Sequence, residues 1–199
     1  MPAGLRLLPL LMILPALGGC AREQPAPPAV PPPALPTAAP QEAPAMNWEL
    51  TSSAFTNGQR IPVNYTGDGA GVSPPLSWTR PPEGAQELVL ICGDLDAPRG
   101  PFTHWVLYGL SPEVTALPEG LPRQGTVASP ACLQGPNSAG QTGYLGPAPP
   151  PGKPHRYQFT LYALSAKLGL SAGADKAQVL RAMEGKVLAK AALEGLYGR

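Results

Sequence analysis

The chain has 199 residues, a net charge of +1 and a pI of about 7.7, and 14% of its residues are charged. This balance argues against a protein that binds nucleic acid through a basic excess. The length allows one domain with a full hydrophobic core, together with appendages. The 29 prolines are far above average use and nine of them fall within residues 21–45, which predicts a separate N-terminal segment.

Residues 1–19 have the pattern of an export signal. Arg6 supplies a positive charge, and the apolar run Leu7–Leu17 is too short to span a bilayer as a stable helix. The small residues Gly18–Gly19 precede Cys20 as in the bacterial lipobox, which predicts cleavage before Cys20 and its lipidation. The alternative is an ordinary signal peptide that happens to contain a cysteine. Since no Asp follows Cys20, we expect a lipid-anchored protein of the cell envelope, at the outer membrane if the cell has one.

A segment rich in Pro and Ala, residues 20–46, follows the signal. Between residues 21 and 45 there are nine prolines and eight alanines, with almost no bulky apolar side chain. Such a composition cannot bury a core and predicts a partly extended, polyproline-type tether. The composition changes at Asn47, and residues 47–199 are expected to form the one folded domain.

Short apolar runs predict strands through most of this domain. Residues 87–93 (ELVLICG) form a continuous apolar run, typical of a buried central strand. Residues 103–110 form a second run, and residues 156–164 alternate between apolar and polar side chains. Many short strands separated by Gly and Pro turns favour a β-sandwich or a small barrel.

The C-terminal segment instead has helical spacing. Asp175 and Gln178 have the spacing of a capping box, and apolar residues then recur at helical intervals. The pattern predicts a helix over residues 175–194. The expected fold is therefore mostly β with a C-terminal α-helix.

Cys92 and Cys132 are the cysteines of the expected domain. In an oxidising compartment an even number of cysteines favours a disulfide. Free cysteines, however, are commonly buried as separate thiols. Because the sequence does not give the separation of the two Cα atoms, both alternatives stay open.

Carboxylates and a histidine cluster where two predicted strands meet. The segment Asp94-Leu95-Asp96-Ala97-Pro98 follows the first apolar run, and His104 lies at the start of the second. If the two strands form a hairpin that turns near Arg99, Asp94 lies opposite His104, and opposed residues are about 5 Å apart. This arrangement indicates either a structural hydrogen bond or a functional pair.

A second cluster comprises Gly143-Tyr144-Leu145-Gly146-Pro147 and then His155-Arg156-Tyr157. Its glycines allow close backbone approach and can present N–H groups to an anion. Arg156 is expected to be a surface charge or a partner for Asp96. The chain has two histidines, and both lie in these clusters, which points to a site.

The two motifs, DLDAP with THW and GYLGPAPPPGKPHRYQFTLYAL, resemble the paired signature of the phosphatidylethanolamine-binding or Raf kinase inhibitor-like proteins, in their bacterial YbhB/YbcL branch. The resemblance covers residues 47–197. It implies an antiparallel β-sandwich with a C-terminal α-helix and short peripheral helices. It also implies a small pocket for phosphate, acetate-like anions or a phospholipid headgroup. The ligand-binding residues that it implies are Asp94, Pro98, His104, Gly143, Gly146, Pro147, His155 and Tyr157, with a cis bond between Ala97 and Pro98 and a further pocket tyrosine at Tyr197.

Three functions remain open at this point. The first is a membrane-tethered module that binds anions or headgroups, needs no cofactor or metal, and modulates a kinase or protease as the family name suggests. The second is a metal-dependent or acid–base hydrolase that uses Asp94, His104 and His155. The third is a structural envelope protein without a pocket. Because the sequence has no metal-type spacing such as His-Glu-x-x-His, we expect a binding protein, not an enzyme. Its expected partners are a membrane, through the lipid, and a small anion or headgroup, with no nucleic acid; the sequence identifies no protein partner.

Overall fold

The computed structural model describes residues 48–199. The elements are β1 (Leu50–Thr51), β2 (Gln59–Arg60), a 3-10 turn (Val63–Tyr65), β3 (Leu76–Trp78), β4 (Glu87–Asp94), β5 (Phe102–Leu110), β6 (Ala116–Leu117), β7 (Thr126–Ala128), β8 (Ala131–Gln134), β9 (His155–Leu164), α1 (Lys176–Met183) and β10 (Val187–Tyr197). They form a seven-stranded sheet, in the order β2-β10-β9-β4-β5-β8-β7, and a three-stranded sheet, β1-β3-β6. Neighbouring strands are antiparallel except β2 and β10, which are parallel. The predicted mostly β fold is confirmed.

The main hydrophobic core contains side chains from both sheets. Leu50 and Trp78 of the small sheet belong to the same buried cluster as Leu90, Phe159 and Leu193 of the large sheet. Each of these side chains is at most 7% exposed. Burial of a large apolar side chain stabilises a fold by about 1.5–3 kcal/mol, so this cluster holds the two sheets together.

β4 is buried on both of its faces, as its continuous apolar run predicts. Leu88 and Leu90 belong to the main core, whereas Val89 and Ile91 point to the opposite face of the sheet. There they pack in a second cluster with Val179 of α1. A strand covered on both sides needs no alternation of polar and apolar residues, which explains the pattern of the sequence.

The helix begins as predicted and ends earlier. Asp175 accepts the Gln178 backbone N–H at 2.8 Å and donates its own N–H to the Gln178 side chain at 2.9 Å, which completes the capping box. The chain leaves the helix after Met183, and Gly185 has φ +71°, a conformation that suits glycine. The predicted continuation to residue 194 is wrong, because residues 187–197 form strand β10.

β10 shows the burial pattern of a strand within a sheet. Ala191, Leu193 and Tyr197 are buried, and the residues between them are exposed or half-buried, apart from Gly195. The strand pairs with β9 along most of its length and with β2 on its other side. This pairing supplies backbone hydrogen bonds on both edges and outweighs the helix propensity of an Ala- and Leu-rich segment.

Two further expectations concern a disulfide bond and a cis peptide bond. Cys92 and Cys132 are both buried and unpaired, which confirms the alternative of two separate thiols. Burial raises the pKa of each thiol, that of Cys132 to about 11. The cis peptide bond within residues 48–199 is Ser129–Pro130, so the cis bond expected before Pro98 is wrong.

The expected signal peptide, residues 1–19, the lipidated Cys20 and the tether, residues 20–46, lie outside the described residues. Within residues 48–199, no helix is long and apolar enough to cross a membrane. The lipid anchor therefore stays a prediction from the sequence.

Candidate functional site

Asp94, the last residue of β4, is 6% exposed and lies against β9. The register places it opposite Tyr157, and its Oδ2 accepts a hydrogen bond from Nδ1 of His155 at 2.7 Å. Its Oδ1 accepts the Asp96 backbone N–H at 2.9 Å. Because both oxygens are engaged, the carboxylate is fixed in orientation, and it fixes the His155 ring in turn.

The predicted pairing of Asp94 with His104 is wrong, although β4 and β5 do form the predicted hairpin. The register between β4 and β5 shifts between Cys92 and Gly93, and Asp94 therefore lies opposite Phe102. His104 instead contacts the loop before β9, where its Nδ1 lies 2.7 Å from the Leu145 carbonyl oxygen. A carbonyl oxygen only accepts, so Nδ1 carries the proton in this bond and the neutral ring has its lone pair on Nε2.

His104 lies in an aromatic environment. Its ring centroid is 4.9 Å from that of Phe102 and 5.1 Å from that of Tyr157, which meets it edge-on. The residue is 5% exposed. Burial lowers the pKa of His104 below its ordinary value of 6.5, against the opposing effects of the Leu145 carbonyl and the Asp94 charge. The ring is therefore neutral at pH 7 without a ligand.

The Tyr157 hydroxyl is buried without a hydrogen-bond partner of accepted geometry within residues 48–199. Burial raises the pKa of Tyr157, and the charge of Asp94 together with a hydrogen-bonding interaction with its carboxylate raises it further, although the distance and angles fall short of a well-formed hydrogen bond. A buried hydroxyl without a partner costs free energy, on the order of 1–3 kcal/mol. A bound molecule that accepts a hydrogen bond from this hydroxyl would remove the cost.

These side chains surround a cavity of about 260 Å³. Six of the eight predicted residues line it: Asp94, Pro98, His104, Gly146, His155 and Tyr157. The sequence reasoning missed the rest of the lining, which is Gly67, Ala97, Phe102, Leu145, Ala148, Pro149 and Pro150. Most of the missed wall is apolar and comes from the loop before β9, where the proline run of residues 149–151 was the available signal.

Gly143 and Pro147 lie outside the cavity lining. Gly143 has φ +87°, and its N–H donates to the Gly135 carbonyl at 3.3 Å. The Pro147 carbonyl accepts the Gly67 N–H at 2.8 Å. Both residues shape the loop that forms one wall, and the Gly143 N–H, already bonded, does not face a ligand.

Two ion pairs hold the segments beside the cavity. Arg156 donates two side-chain hydrogen bonds to Asp96, each of 2.9 Å, which confirms the partner expected from the sequence. Arg199 binds Asp68, and the Tyr197 hydroxyl donates to the same carboxylate at 2.7 Å. Tyr197 therefore lies beside the cavity without lining it, unlike the pocket tyrosine that the resemblance implied.

No group of three or more His, Cys, Asp or Glu side chains within residues 48–199 converges as metal ligands. His155 and Asp94 bind each other, and the ring of His104 contacts that of Phe102. The arrangement can donate a hydrogen bond to an oxyanion from the Tyr157 phenol, and from Nε2 of either imidazole only when that ring is protonated.

Comparison with known proteins identifies relatives of this chain. Residues 51–198 match the family model of the phosphatidylethanolamine-binding protein. A UPF0098 protein of Methanothermobacter thermautotrophicus is 49% identical over 150 residues, which are 75% of this chain and 98% of that protein. A UPF0098 protein of Chlamydia trachomatis is 44% identical over 154 residues, or 75% of this chain and 97% of the relative.

Two solved structures are also similar to this chain. The crystal structure of a phosphatidylethanolamine-binding protein homolog of Chlamydia trachomatis has a TM-score of 0.70 at 42% identity, covering 76% of this chain and 97% of that one. The crystal structure of E. coli YbcL, a member of the mammalian PEBP family, has a TM-score of 0.71 at 30% identity, covering 76% and 98%. The chain therefore belongs to the phosphatidylethanolamine-binding protein family.

Proposed function

We propose that the protein binds a small anion, or the anionic headgroup of a phospholipid, in the cavity between β4, β5 and β9. The observation that carries this proposal is the buried Tyr157 hydroxyl on the cavity wall, which lies near the Asp94 carboxylate but makes no well-formed hydrogen bond to any described residue. A ligand oxygen that accepts from this hydroxyl would remove the cost of leaving it unpaired. The proposal assigns the protein no catalytic step.

The two histidines would bind the ligand through their Nε2 atoms. In each ring Nδ1 is already engaged, with Leu145 for His104 and with Asp94 for His155. Asp94 would act indirectly, because it orients the His155 ring. Its hydrogen bond orients His155, not His104, although its charge also acts to raise the pKa of His104.

The proposal is tested by calorimetric titration of phosphate and of glycerophosphoethanolamine into the full chain. Tyr157→Phe should weaken binding about tenfold or more, because a hydrogen bond to a charged group contributes about 1.5–3 kcal/mol. The same variant should not lower the stability of the free protein, since it removes an unpaired hydroxyl. Tyr162→Phe, on the same strand but outside the cavity lining, is the matched control.

The outcomes separate the candidate functions. Absence of binding by the wild type would contradict the proposed function and leave a structural envelope role. Equal binding by Tyr157→Phe and Tyr162→Phe would show that the Tyr157 hydroxyl does not contribute to ligand binding, and would contradict the argument for this site. Steady turnover of a phosphate ester, lost in His155→Ala, would favour the hydrolase.

We further propose that Cys20 is acylated and that residues 20–46 tether the domain to a membrane of the cell envelope. The support is the sequence of the N-terminal segment, with its short apolar run and small residues before the cysteine. Intact mass of membrane-extracted protein should show loss of residues 1–19 and a gain of lipid, and Cys20→Ser should abolish the gain. An unmodified, soluble mature chain would refute this. Modulation of a kinase or protease stays a prediction from the family resemblance.

A further inference from the structure

One end of the domain exposes a group of large apolar side chains. Five such side chains are exposed within residues 48–199, and three of them are Leu180, Val187 and Leu188, with exposures of 39%, 39% and 46%. Leu180 lies in α1, and the other two begin β10 after a short turn. That turn is closed by a hydrogen bond of 2.9 Å from the Lys186 N–H to the Met183 carbonyl. Exposed apolar side chains that lie together mark an interaction surface, whereas scattered ones do not.

The same part of the chain is rich in positive charge. Residues 165–190 contain five Lys or Arg and two Asp or Glu, whereas the other described residues contain seven and nine. Of the two acidic residues, Asp175 caps the distant end of α1 and Glu184 lies in the turn. The α1–β10 patch is defined as the apolar Leu180, Val187 and Leu188 together with the basic Arg181, Lys186 and Lys190. None of these three cations forms an ion pair within residues 48–199.

Two of these cations have partners other than carboxylates. Nζ of Lys186 donates a hydrogen bond to the Ala182 carbonyl at 2.8 Å, and Nζ of Lys190 lies 5.5 Å from the Tyr162 ring centroid. The loop after β9 is attached at the same place, because the Ser165 N–H donates to the Lys186 carbonyl at 2.8 Å. These contacts do not neutralise the cations, so the patch can attract an anionic partner.

The patch lies at the end of the large sheet opposite to the cavity. In the pairing of β9 with β10, Val187 lies opposite Leu164, whereas Tyr197 lies opposite His155, which lines the cavity. At about 3.3 Å per residue, β10 separates the two ends by roughly 30 Å. A partner bound to the patch would therefore leave the cavity uncovered.

The charge of the patch discriminates between partners. A second copy of the chain would bring the same cations against it, and like charges that face each other disfavour association. An anionic bilayer instead attracts each Lys or Arg near its surface and accepts apolar side chains at the boundary between headgroups and acyl chains. The acyl anchor proposed at Cys20 would hold the domain beside a bilayer and raise the effective concentration of this partner. This favours a bilayer over an acidic protein.

We propose that the α1–β10 patch docks on the surface of an anionic bilayer and holds the cavity away from it. Leu180, Val187 and Leu188 would enter the headgroup region, while the neighbouring cations contact lipid phosphates. The proposal rests in part on the proposed anchoring, but docking is a property of the folded domain and needs no acyl chain. A ligand would then enter the cavity from the aqueous phase.

The experiment measures cosedimentation of the chain from residue 20, carrying Cys20→Ser, with lipid vesicles. The substitution prevents acylation, so binding by the domain is separated from binding by the anchor. The domain folds without residues 1–19, since the Chlamydia trachomatis homolog is covered over 97% of its length by 76% of this chain. Vesicles of phosphatidylcholine with about 30% phosphatidylglycerol should bind the chain, and pure phosphatidylcholine should bind it far more weakly. Salt at about 1 M should release the chain.

Two pairs of substitutions test the charges. Arg181→Gln with Lys190→Gln should weaken binding about 25-fold, because each cation near an anionic surface contributes about fivefold. Arg99→Gln with Lys153→Gln removes two exposed cations from the turn between β4 and β5 and from the loop before β9, at the cavity end. This matched control should leave binding nearly unchanged. Equal loss in the two pairs would show a general attraction without a docking face and would overturn the proposal.

Two leucines of similar exposure test the apolar contact. Leu188→Ser should weaken binding about fivefold, because half of a leucine side chain would no longer leave water. Leu95→Ser, at a residue 48% exposed at the cavity end, should have no effect, and equal loss in both variants would overturn the proposal. Tyr157→Phe should bind vesicles like the parent chain. Loss of binding in that variant would assign the lipid to the cavity, which overturns the docking and supports the proposed function.

The remaining outcomes concern the parent chain. Its failure to bind anionic vesicles would overturn the docking and leave anion binding in the cavity untouched. A dimer in sedimentation equilibrium that dissociates in Leu188→Ser would identify a second copy as the occupant and would also overturn the proposal.

Discussion

Replacement of Gly146 by alanine should destabilise the loop that forms one wall of the cavity. A Cβ atom at this position would lie 2.6 Å from the Thr66 carbonyl carbon and 2.8 Å from the Gly67 nitrogen. Both are backbone atoms, so no side-chain rotation can relieve the contact. The backbone of Gly146 does not have a positive φ, so the expected cost is steric.

The magnitude follows from these distances. Carbon atoms pack at about 3.5–4.0 Å, so the two loops would have to separate by roughly 1 Å. The hydrogen bond from the Gly67 N–H to the Pro147 carbonyl, now 2.8 Å, would then be lost or badly stretched. Overpacking costs about 1–3 kcal/mol and a lost hydrogen bond about 1 kcal/mol. The lower entropy of the unfolded alanine chain offsets about 0.4–1 kcal/mol, which leaves a net loss of about 1–3 kcal/mol.

The assay is urea unfolding of the full chain followed by tryptophan fluorescence. Gly93→Ala is the matched control, because its Cβ would find the Phe102 carbonyl oxygen at 3.6 Å, an ordinary contact. The control should leave the free energy of unfolding unchanged or raise it by up to about 1 kcal/mol, through the lower entropy of the unfolded alanine chain. Equal stability of Gly146→Ala and Gly93→Ala would refute the steric argument.

Three other predictions concern titratable groups. Because burial lowers the pKa of folded His104 below the 6.5 of the unfolded ring, the unfolded state binds more protons below pH 6.5. The free energy of unfolding should therefore fall as pH drops from 6.5 through the folded pKa, and His104→Gln should reduce this slope; an unchanged slope in urea unfolding at several pH values would contradict it. Arg199 lowers the pKa of Asp68 to about 2 from 3.8, so the carboxyl should titrate near pH 2 by ¹³C NMR and move upwards in Arg199→Gln; no movement would remove the assigned cause. The two buried thiols should resist Ellman's reagent at pH 8 in the native Cys20→Ser chain and react on unfolding; fast native reaction would show that they are accessible.

The central strands of the fold could be predicted from sequence, and the C-terminal strand could not. Residues 88–92 of β4 are all apolar because the strand is covered on both faces, and this continuous apolar run is visible in the sequence. Residues 187–197 contain mostly good helix formers, and local propensity favours a helix there. Their strand conformation depends on β9 and β2, which are far away in sequence, so only tertiary pairing reveals it.

The candidate site is likewise only partly predictable from the sequence. Both histidines and Asp94 are recognisable in the sequence because polar residues at the ends of apolar strands are costly unless they are paired or functional. The sequence pairs Asp94 with the wrong histidine, because it indicates a hairpin but not its register. His155 contacts Asp94 between β4 and β9, although the two residues are 61 positions apart in the chain. Gly67 also lines the cavity, but the local sequence of its loop does not indicate a binding site.

The position of β10 in the sheet also constrains how the domain assembles. β10 pairs in parallel with β2, and the Arg60 side chain donates to the Gly198 carbonyl, a contact across 138 residues. Closing so long a loop costs entropy before the contacts formed can offset it. Domains dominated by such distant pairings fold in roughly milliseconds to seconds. During synthesis the large sheet would therefore remain incomplete, with one edge of β9 open, until residues 187–197 have emerged.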